Sequence, residues 1–322
     1  METAVIITLP DTTVAKILKS LQKAREDGGA VALGRVLTLV ITTTSDKLEK
    51  VIVAANQASR EHPMRIIVIN EVPDGYSQSN LDAEIRLGGD AGASEVIILN
   101  AIDDLVVDPQ GLINGLLLPD APMVAWWPDA APHNMAATSL GQVAGHRIAD
   151  TINGSNPVEL LRVLAGSYEP GDVDLGWTRI TQWRALFAST LDLERSRVTG
   201  ATVRGARGNS APILLAAWFR SELGVPVTLE LGERDSRGNI LYASLETETG
   251  TISIERTEPE FGLISQPGQP THVISLPLRG LGDCLAEELR RLDEDVVFGR
   301  VLTWGFRSSS LRPDHFHEVT RR

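Results

Sequence analysis

Cysteine is nearly absent from this sequence of 322 residues, which contains Cys284 alone. A single thiol excludes an intramolecular disulfide and fits the reducing cytosol. The first residues, METAVIITLPDTTVAK, also lack the basic start, apolar centre and small-residue cleavage site of a signal peptide. We therefore expect a cytoplasmic protein, long enough to be stabilised by an ordinary core without crosslinks.

Positive charge and long apolar runs are also scarce. The 30 Lys and Arg residues are outnumbered by 42 Asp and Glu residues, which gives a formal net charge of -12. Nucleic-acid binding depends on clustered basic side chains, so we expect no nucleic-acid partner. The longest apolar runs, 36–41 and 116–127, fall far short of the roughly 20 residues of a membrane helix, so we expect no membrane span.

Motifs for catalysis, metal binding and phosphate binding are missing as well. None of the six histidines forms the i, i+4 pair of a zinc protease, and no Gly-x-Ser-x-Gly nucleophile elbow occurs. The glycines of segment 28–34 follow a helical pattern and precede a strand, the reverse of the order in a phosphate-binding loop. Cys284 lies on the apolar side of a predicted helix, which favours a buried, inert thiol. The sequence therefore predicts no catalytic residue, no metal and no cofactor.

The first 130 residues alternate apolar strands with amphipathic helices. Segments 35–43 and 65–70 are almost continuously β-branched and apolar, as in parallel strands that are covered on both faces. Segment 81–87 instead alternates apolar with charged residues, which predicts a half-exposed strand that is antiparallel or at a sheet edge. The N-terminal half is thus predicted to be α/β, with helices around a mixed, mostly parallel sheet.

The second half has a different pattern, with helices first and closely spaced strands after them. Helices are predicted at 175–191 and 210–223, and Asn156 with Pro157 forms an N-cap and N1 pair at the start of another. The strands predict an α+β domain with an antiparallel meander, and they are expected at 226–232, 239–247, 250–256 and 271–276.

Changes in composition along the chain suggest where its domains end. Proline, glycine and polar residues accumulate between residues 130 and 156, and the sequence after Phe306 is polar and without pattern. We predict an N-terminal α/β domain at 1–140, a C-terminal α+β domain at 156–302 and a disordered tail at 306–322.

The run LLLPDAPMVAWWP (116–128) ends a predicted strand with Trp126 and Trp127. Working surfaces of α/β proteins lie at strand ends, and no reactive group is near in sequence. Because strand side chains alternate, the two indoles face opposite sides. Either both are buried between layers of helices, or one is an exposed anchor for a protein partner.

Six segments that are spread over about residues 5–301 carry a resemblance to a known family. They are GGAVALGRVLTLVI (28–41), ASREHPMRIIVI (58–69), LDAEIRLGGDAGASEVIIL (81–99), LLLPDAPMVAWWP (116–128), YEPGDVDLGWTRITQWRALFA (168–188) and CLAEELRRLDED (284–295). With these segments the chain resembles the OpcA family of glucose-6-phosphate dehydrogenase assembly proteins, in its actinobacterial form.

The resemblance implies a non-enzymatic partner of the NADP-dependent dehydrogenase that opens the oxidative pentose phosphate pathway. Such a protein binds glucose-6-phosphate dehydrogenase, promotes its active oligomer and acts as an allosteric activator. The lone Cys284 excludes the intramolecular dithiol switch that is associated with cyanobacterial relatives. The candidate partner-binding residues are Trp126, Trp127, Trp177, Arg179 and Trp183.

An alternative function belongs to a different class. The chain would be an enzyme or sensor that binds a sugar phosphate or nucleotide at the strand ends of the N-terminal domain. The candidate ligand turn consists of Arg86, Gly88 and Gly89, which follow a predicted strand. A regulatory protein that also binds a metabolite weakly would combine both functions.

Overall fold

The computed structural model describes residues 5–28, 36–72, 81–88, 95–101, 109–153, 156–193, 196–233 and 235–307. The chain divides into two compact units, each of which contains two stretches of sequence. Unit 1 comprises residues 1–150 and 280–294, and unit 2 comprises residues 151–279 and 295–322. Most of the segment predicted to be a disordered tail, residues 308–322, lies outside the described residues.

A mixed, mostly parallel sheet forms the centre of unit 1. Its described strands lie in the order β1-β4-β5-β3-β2-β6-β7. Strands β5, β3, β2, β6 and β7 pair in parallel, whereas β4 is antiparallel to both β1 and β5. The strands are β1 Val5–Leu9, β2 Leu37–Thr44, β3 Met64–Glu71, β4 Leu81–Leu87, β5 Glu95–Ala101, β6 Met123–Trp127 and β7 His146–Ala149. The α/β prediction for this half of the chain is confirmed.

The apolar pattern of the strands matches the burial that each receives. The central strand β2 has six of its first seven side chains buried, because helices cover both faces of a parallel sheet. In β4, by contrast, buried and half-exposed side chains alternate. The alternation in the sequence therefore predicted an antiparallel strand correctly, although β1 and not β4 forms the edge of the sheet.

The helices of unit 1 are α1 Val14–Gly28, α2 Leu48–Ser59, α3 Gln110–Asn114, α4 Ser139–Val143 and α9 Leu281–Glu288. Helix α9 is distant in sequence but packs on α2. The Gln57 amide donates a hydrogen bond of 2.6 Å to Asp283, and the His62 ring lies 2.9 Å from the carbonyl oxygen of Ala286. Cys284 is buried in this contact region, as predicted.

In unit 1, a cluster of charged side chains centres on a buried carboxylate. Glu95, which is fully buried, accepts hydrogen bonds from two arginines. Arg25 donates to both of its carboxylate oxygens at 2.6 and 2.8 Å, and Arg65 donates through Nε at 2.8 Å. Arg65 and Glu95 are directly paired between β3 and β5, so the sheet register positions this ion pair. The cluster links α1 to two strands.

Unit 2 contains a second, mostly antiparallel sheet. Its strand order is β10-β9-β11-β12-β13-β14, and the pairs after β9 are all antiparallel, whereas β9 and β10 are parallel. The described strands of unit 2 are β8 Asp172–Asp174, β9 Val198–Ala206, β10 Val227–Gly232, β11 Ile240–Thr247, β12 Gly250–Arg256, β13 Phe261–Ser265 and β14 His272–Ser275. The antiparallel meander is confirmed, and β13 was missed in the sequence.

The described helices of unit 2 are α5 Pro157–Ser167, α6 Leu175–Arg179, α7 Thr181–Leu193, α8 Ser210–Leu223 and α10 Val296–Arg307, with a 3₁₀ turn at Thr151–Asn153. The helix predicted at 175–191 is divided in two at Ile180, and α10 was not predicted. The Asn156 side chain accepts a hydrogen bond from the Glu159 amide at 3.2 Å, which confirms the predicted N-cap. Helix α8 ends at Gly224, whose φ of 64° is the left-handed conformation that glycine favours at this position.

Alanine substitutions at two helical glycines should have opposite effects on stability. A Cβ atom at Gly166 in α5 would meet nothing within 4 Å. Gly166→Ala should therefore raise the free energy of unfolding by about 0.5–1 kcal/mol, because alanine restricts the unfolded chain. At Gly141 in α4, a Cβ would collide with the Met135 carbonyl group, so Gly141→Ala should cost about 1–3 kcal/mol. The urea unfolding midpoint should rise in Gly166→Ala and fall in Gly141→Ala. Equal shifts in the two variants would contradict this expectation.

Among the residues that the structure describes, no helix combines the length and the apolar character needed to cross a membrane.

Candidate partner-binding surface

The adjacent tryptophans of β6 are core residues. Trp126 has no exposed surface and Trp127 is 6% exposed. Strand β6 lies between β2 and β7, where Trp126 is paired with Ile41 and Ile148. Since neighbouring strand side chains point to opposite faces, one indole fills the core on each side of the sheet. Of the two arrangements that the sequence left open, burial between layers is the one observed.

Polar side chains lie in the last residues of β2, β3 and β5 and just after β2 and β6, at the carboxyl edge of the sheet, where several of them contact one another. The Thr43 hydroxyl donates to Asp129 at 2.9 Å, and the Lys47 ammonium lies 3.2 Å from the same carboxylate. The Asn70 amide donates to Asn100 at 2.7 Å. This edge is where a sugar phosphate or nucleotide would bind in an α/β sheet. In this chain the polar side chains named at that edge bind one another.

The candidate ligand turn after β4 is likewise occupied by contacts within the chain. Arg86 donates to Glu49 at 2.7 and 3.0 Å and to Glu84 at 2.5 Å. The hydrogen bond from Arg86 lowers the pKa of the Glu49 carboxyl, and Glu49 in turn raises the pKa of Arg86. Gly88 has a φ of 65°, as expected of a turn, and Gly89 lies outside the described residues. The Arg86 guanidinium, which the sequence proposed as an anion-binding group, is thus already paired with two carboxylates of the chain.

Trp177 is the centre of an aromatic cluster in unit 2. Its side chain is buried, and the indole Nε1 donates a hydrogen bond of 2.7 Å to Asp295. The Phe298 ring lies 5.6 Å away, and the Arg184 guanidinium lies 3.6 Å from the indole centroid. Asp295 also accepts from the amide of Phe298 at 2.8 Å, so one carboxylate holds both the indole and the first turn of α10.

The other two candidates in unit 2 differ in exposure. Trp183 is 3% exposed, and the Arg256 guanidinium lies 5.8 Å from its centroid. Arg179, at the end of α6, is half-buried and takes part in further interactions. The five proposed partner-binding residues therefore comprise four core indoles and one arginine near the surface. Direct partner contact through them stays a prediction.

Two surface features of unit 2 were missed in the sequence. Trp304 of α10 is 61% exposed, and an open groove of about 560 Å³ lies between α7, α8 and the start of α10. The half-buried Trp218 lines this groove. A signal was present, because the apolar residues Phe298, Val301 and Leu302 have the helical spacing that predicts α10. In the same helix Trp304 lies about 120° around the axis from Phe298, at the flank of that stripe.

The acidic and histidine side chains have structural roles where their contacts are described. Asp174 accepts from the Gly176 and Thr151 amides at 2.8 Å each, and Asp172 accepts from the Glu169 amide at 2.9 Å. These two carboxylates are therefore engaged in hydrogen bonds to backbone amides. The buried His146 lies 3.0 Å from Glu288. Within the described ranges, no group of three His, Cys, Asp or Glu residues is arranged to hold a metal ion.

The fold and these contacts define a chain with one α/β unit and one α+β unit, whose described polar groups pair largely with one another. Two family models, both for domains of a glucose-6-phosphate dehydrogenase subunit, identify it further. The model of the N-terminal domain matches residues 55–166, and the model of the C-terminal domain matches residues 170–302. The chain therefore belongs to the OpcA family of glucose-6-phosphate dehydrogenase assembly proteins. These domains indicate that the chain has a non-catalytic role in the assembly of that dehydrogenase.

Several solved structures are similar to the chain at low identity. A 3-ketoreductase from Actinomadura kijaniata in complex with TDP-benzene and NADP is 12% identical, with a TM-score of 0.45, over 84% of this chain and 94% of that one. An NAD-binding oxidoreductase from Klebsiella pneumoniae is 10% identical, with a TM-score of 0.47, over 90% and 98%. A biliverdin reductase from Synechocystis sp. PCC 6803 is 12% identical, with a TM-score of 0.43, over 84% and 96%. No curated protein sequence matches the chain.

Proposed function

We propose that this chain is a non-catalytic subunit that binds glucose-6-phosphate dehydrogenase and activates it by promoting its active oligomer. The observation that carries the proposal is the match of two dehydrogenase-subunit domains over residues 55–166 and 170–302. A subunit of this kind needs no reacting group of its own. It acts by binding the active state of the dehydrogenase more tightly than the inactive state, because equal affinity for both states shifts no equilibrium.

The five candidate residues enter this proposal with different roles. Arg179 is half-buried, and this partial exposure supports the proposal that its side chain contacts the dehydrogenase. The indoles of Trp126, Trp127, Trp177 and Trp183 are buried, so we propose that they act from the core by fixing the backbone of each unit. A partner then recognises surfaces that these residues support.

The function predicts a change in dehydrogenase kinetics. Adding the chain to its cognate dehydrogenase should improve the Michaelis constant for glucose 6-phosphate or the turnover number by about fivefold or more, the usual lower range of coupling between sites. The measurement is the initial rate of NADP reduction over a range of chain concentrations. Albumin at equal concentrations is the control. Unchanged kinetics together with no co-purification of the two proteins would overturn the proposal.

The sugar-phosphate or nucleotide alternative is tested on the isolated chain. Because Arg86 is paired with Glu49 and Glu84, we expect no binding of glucose 6-phosphate or NADPH to the chain alone. Calorimetric titration with each compound measures this. Saturable heat would favour the sensor alternative over a purely protein-binding role.

A further inference from the structure

Residues 280–294 form a strap. They leave unit 2 after Arg279, contribute α9 to unit 1 and re-enter unit 2 at Asp295. Both ends of the strap are held at neighbouring positions of α6. The Arg279 guanidinium donates to the carbonyl oxygen of Thr178 at 3.0 Å, and the Trp177 indole donates to Asp295 at 2.7 Å. The strap is therefore a loop of roughly 15 residues that is closed at its base inside unit 2.

Helix α6 is a fixed base for the strap, because it is buried in unit 2. Its first four residues, 175–178, are all buried. A Cβ atom at Gly176 would collide with Ser210 of α8, so the backbone of α6 lies close against that helix. The N-cap residue Asp174 also accepts from the amide of Thr151, where the chain first enters unit 2, at 2.8 Å. All three passages of the chain between the units are thus fixed at one short segment of unit 2.

Within unit 1, the strap is held by the docking of α9 on α2. This docking buries Cys284 and Leu285 completely. Helix α9 has only eight residues, and isolated helices of that length are marginal in water. The ion pair between Arg290 of the strap and Glu61 is 58% and 49% exposed, so solvent screens it. The docking therefore depends on apolar burial and on how closely the two ends of the strap are held.

We propose that the strap couples the two units. Release of its base at α6 lets α9 open from α2 and exposes Cys284 while the rest of unit 1 stays folded. The physical reason is entropic. A loop with both ends held has little conformational freedom left to lose when α9 docks, whereas a loop with a released end must be ordered over its whole length. A change at α6 is thereby transmitted to α2 through the chain itself. This coupling goes beyond the proposed function, since it needs no dehydrogenase.

The buried thiol of Cys284 is a native probe of strap opening, because it is the only cysteine of the sequence. When closing is faster than alkylation, the rate of alkylation by a maleimide is proportional to the open fraction. Trp177→Phe removes the donor to Asp295, and Arg279→Met removes the donor to Thr178. Each variant should raise the alkylation rate about threefold or more, within the roughly 2- to 12-fold effect of one hydrogen bond. The two substitutions together should raise it at least about tenfold.

Matched controls change unit 2 away from the base of the strap. Because Trp177→Phe also truncates a core side chain, its control is Phe187→Leu, which truncates another fully buried aromatic residue. The control for Arg279→Met is Arg237→Met, since the half-buried Arg237 likewise donates to a backbone carbonyl oxygen, that of Arg256. Both controls keep the two hydrogen bonds at α6. The alkylation rate of Cys284 in each should stay within about twofold of that in the unmodified chain.

Alkylation in low concentrations of urea separates strap opening from unfolding of the whole chain. Opening of the strap exposes little surface, so the accelerated rate should depend only weakly on urea. Circular dichroism checks that the variants are folded, and the full chain is used throughout. A selective rise in the base variants, with this weak dependence on urea, supports the strap.

Three results would overturn the inference. They are an unchanged alkylation rate in both base variants, an equal rise in the base variants and their controls, and a urea dependence as steep as that of global unfolding. The last two would show that Cys284 becomes accessible only when the chain unfolds. Since dehydrogenase is absent from these measurements, such a result leaves the proposed function standing, and failure of the proposed function leaves the strap unaffected.

Discussion

Glu95→Gln should lower the free energy of unfolding by about 3–5 kcal/mol, the usual cost of removing one partner from a buried ion pair. Glu95 is fully buried and accepts hydrogen bonds from Arg25 and Arg65 at 2.6 to 3.0 Å. Glutamine has nearly the same shape, but it replaces one acceptor by a donor that faces guanidinium donors. It also leaves the buried Arg65 without a countercharge, whereas Arg25 is partly exposed to solvent. The shift of the urea unfolding midpoint measures the loss.

The control for this variant is an ion pair on the surface of unit 1. Arg290 donates to Glu61 at 2.6 Å, but the two side chains are 58% and 49% exposed. Solvent screens such an exposed pair, so Glu61→Gln should leave the urea unfolding midpoint nearly unchanged. Equal losses of stability in Glu95→Gln and Glu61→Gln would show that the burial of Glu95 does not determine how much it contributes to stability.

Trp126→Ala should cost about 3–5 kcal/mol of stability, as expected for truncation of a fully buried aromatic side chain. The substitution removes an indole between β2 and β7 and leaves a cavity that a central parallel sheet cannot close by collapsing. Stability is measured by urea unfolding, and dehydrogenase binding is measured at a temperature where the variant is folded. Under the proposed role, binding falls only to the extent that the fold is lost.

The matched variant removes an indole from the surface. Trp304 is 61% exposed on α10, so Trp304→Ala should change stability by no more than about 0.5 kcal/mol. A Trp126→Ala variant that keeps full stability but fails to bind the dehydrogenase would instead show that Trp126 is an exposed anchor, contrary to the structure.

Sequence patterns predicted the parts of the fold that depend on near neighbours. The alternation in segment 81–87 gave the antiparallel β4 within an otherwise mostly parallel sheet. The Asn156 cap was also correct, because the hydrogen bonds at a helix end join residues only a few positions apart. The α/β and α+β character of the two halves followed from these elements.

The candidate site depended on contacts that no local pattern contains. Trp177 is held by Asp295, which is 118 positions away, and α10 that begins there was not predicted. Alternation showed that Trp126 and Trp127 face opposite sides, but burial of both depends on layers formed by other segments. Arg86 looked available for an anion because Glu49, which pairs with it, is 37 positions earlier in the sequence.

Sedimentation velocity of glucose-6-phosphate dehydrogenase, alone and with an equimolar amount of the chain, tests the central claim most directly. The proposed function predicts that the chain sediments together with the enzyme and increases the fraction in the larger, active oligomer, in parallel with the initial rate of NADP reduction. Binding should favour that oligomer because only a difference in affinity between states moves an equilibrium. An unchanged enzyme boundary, with the chain sedimenting as a separate species, would contradict the proposal.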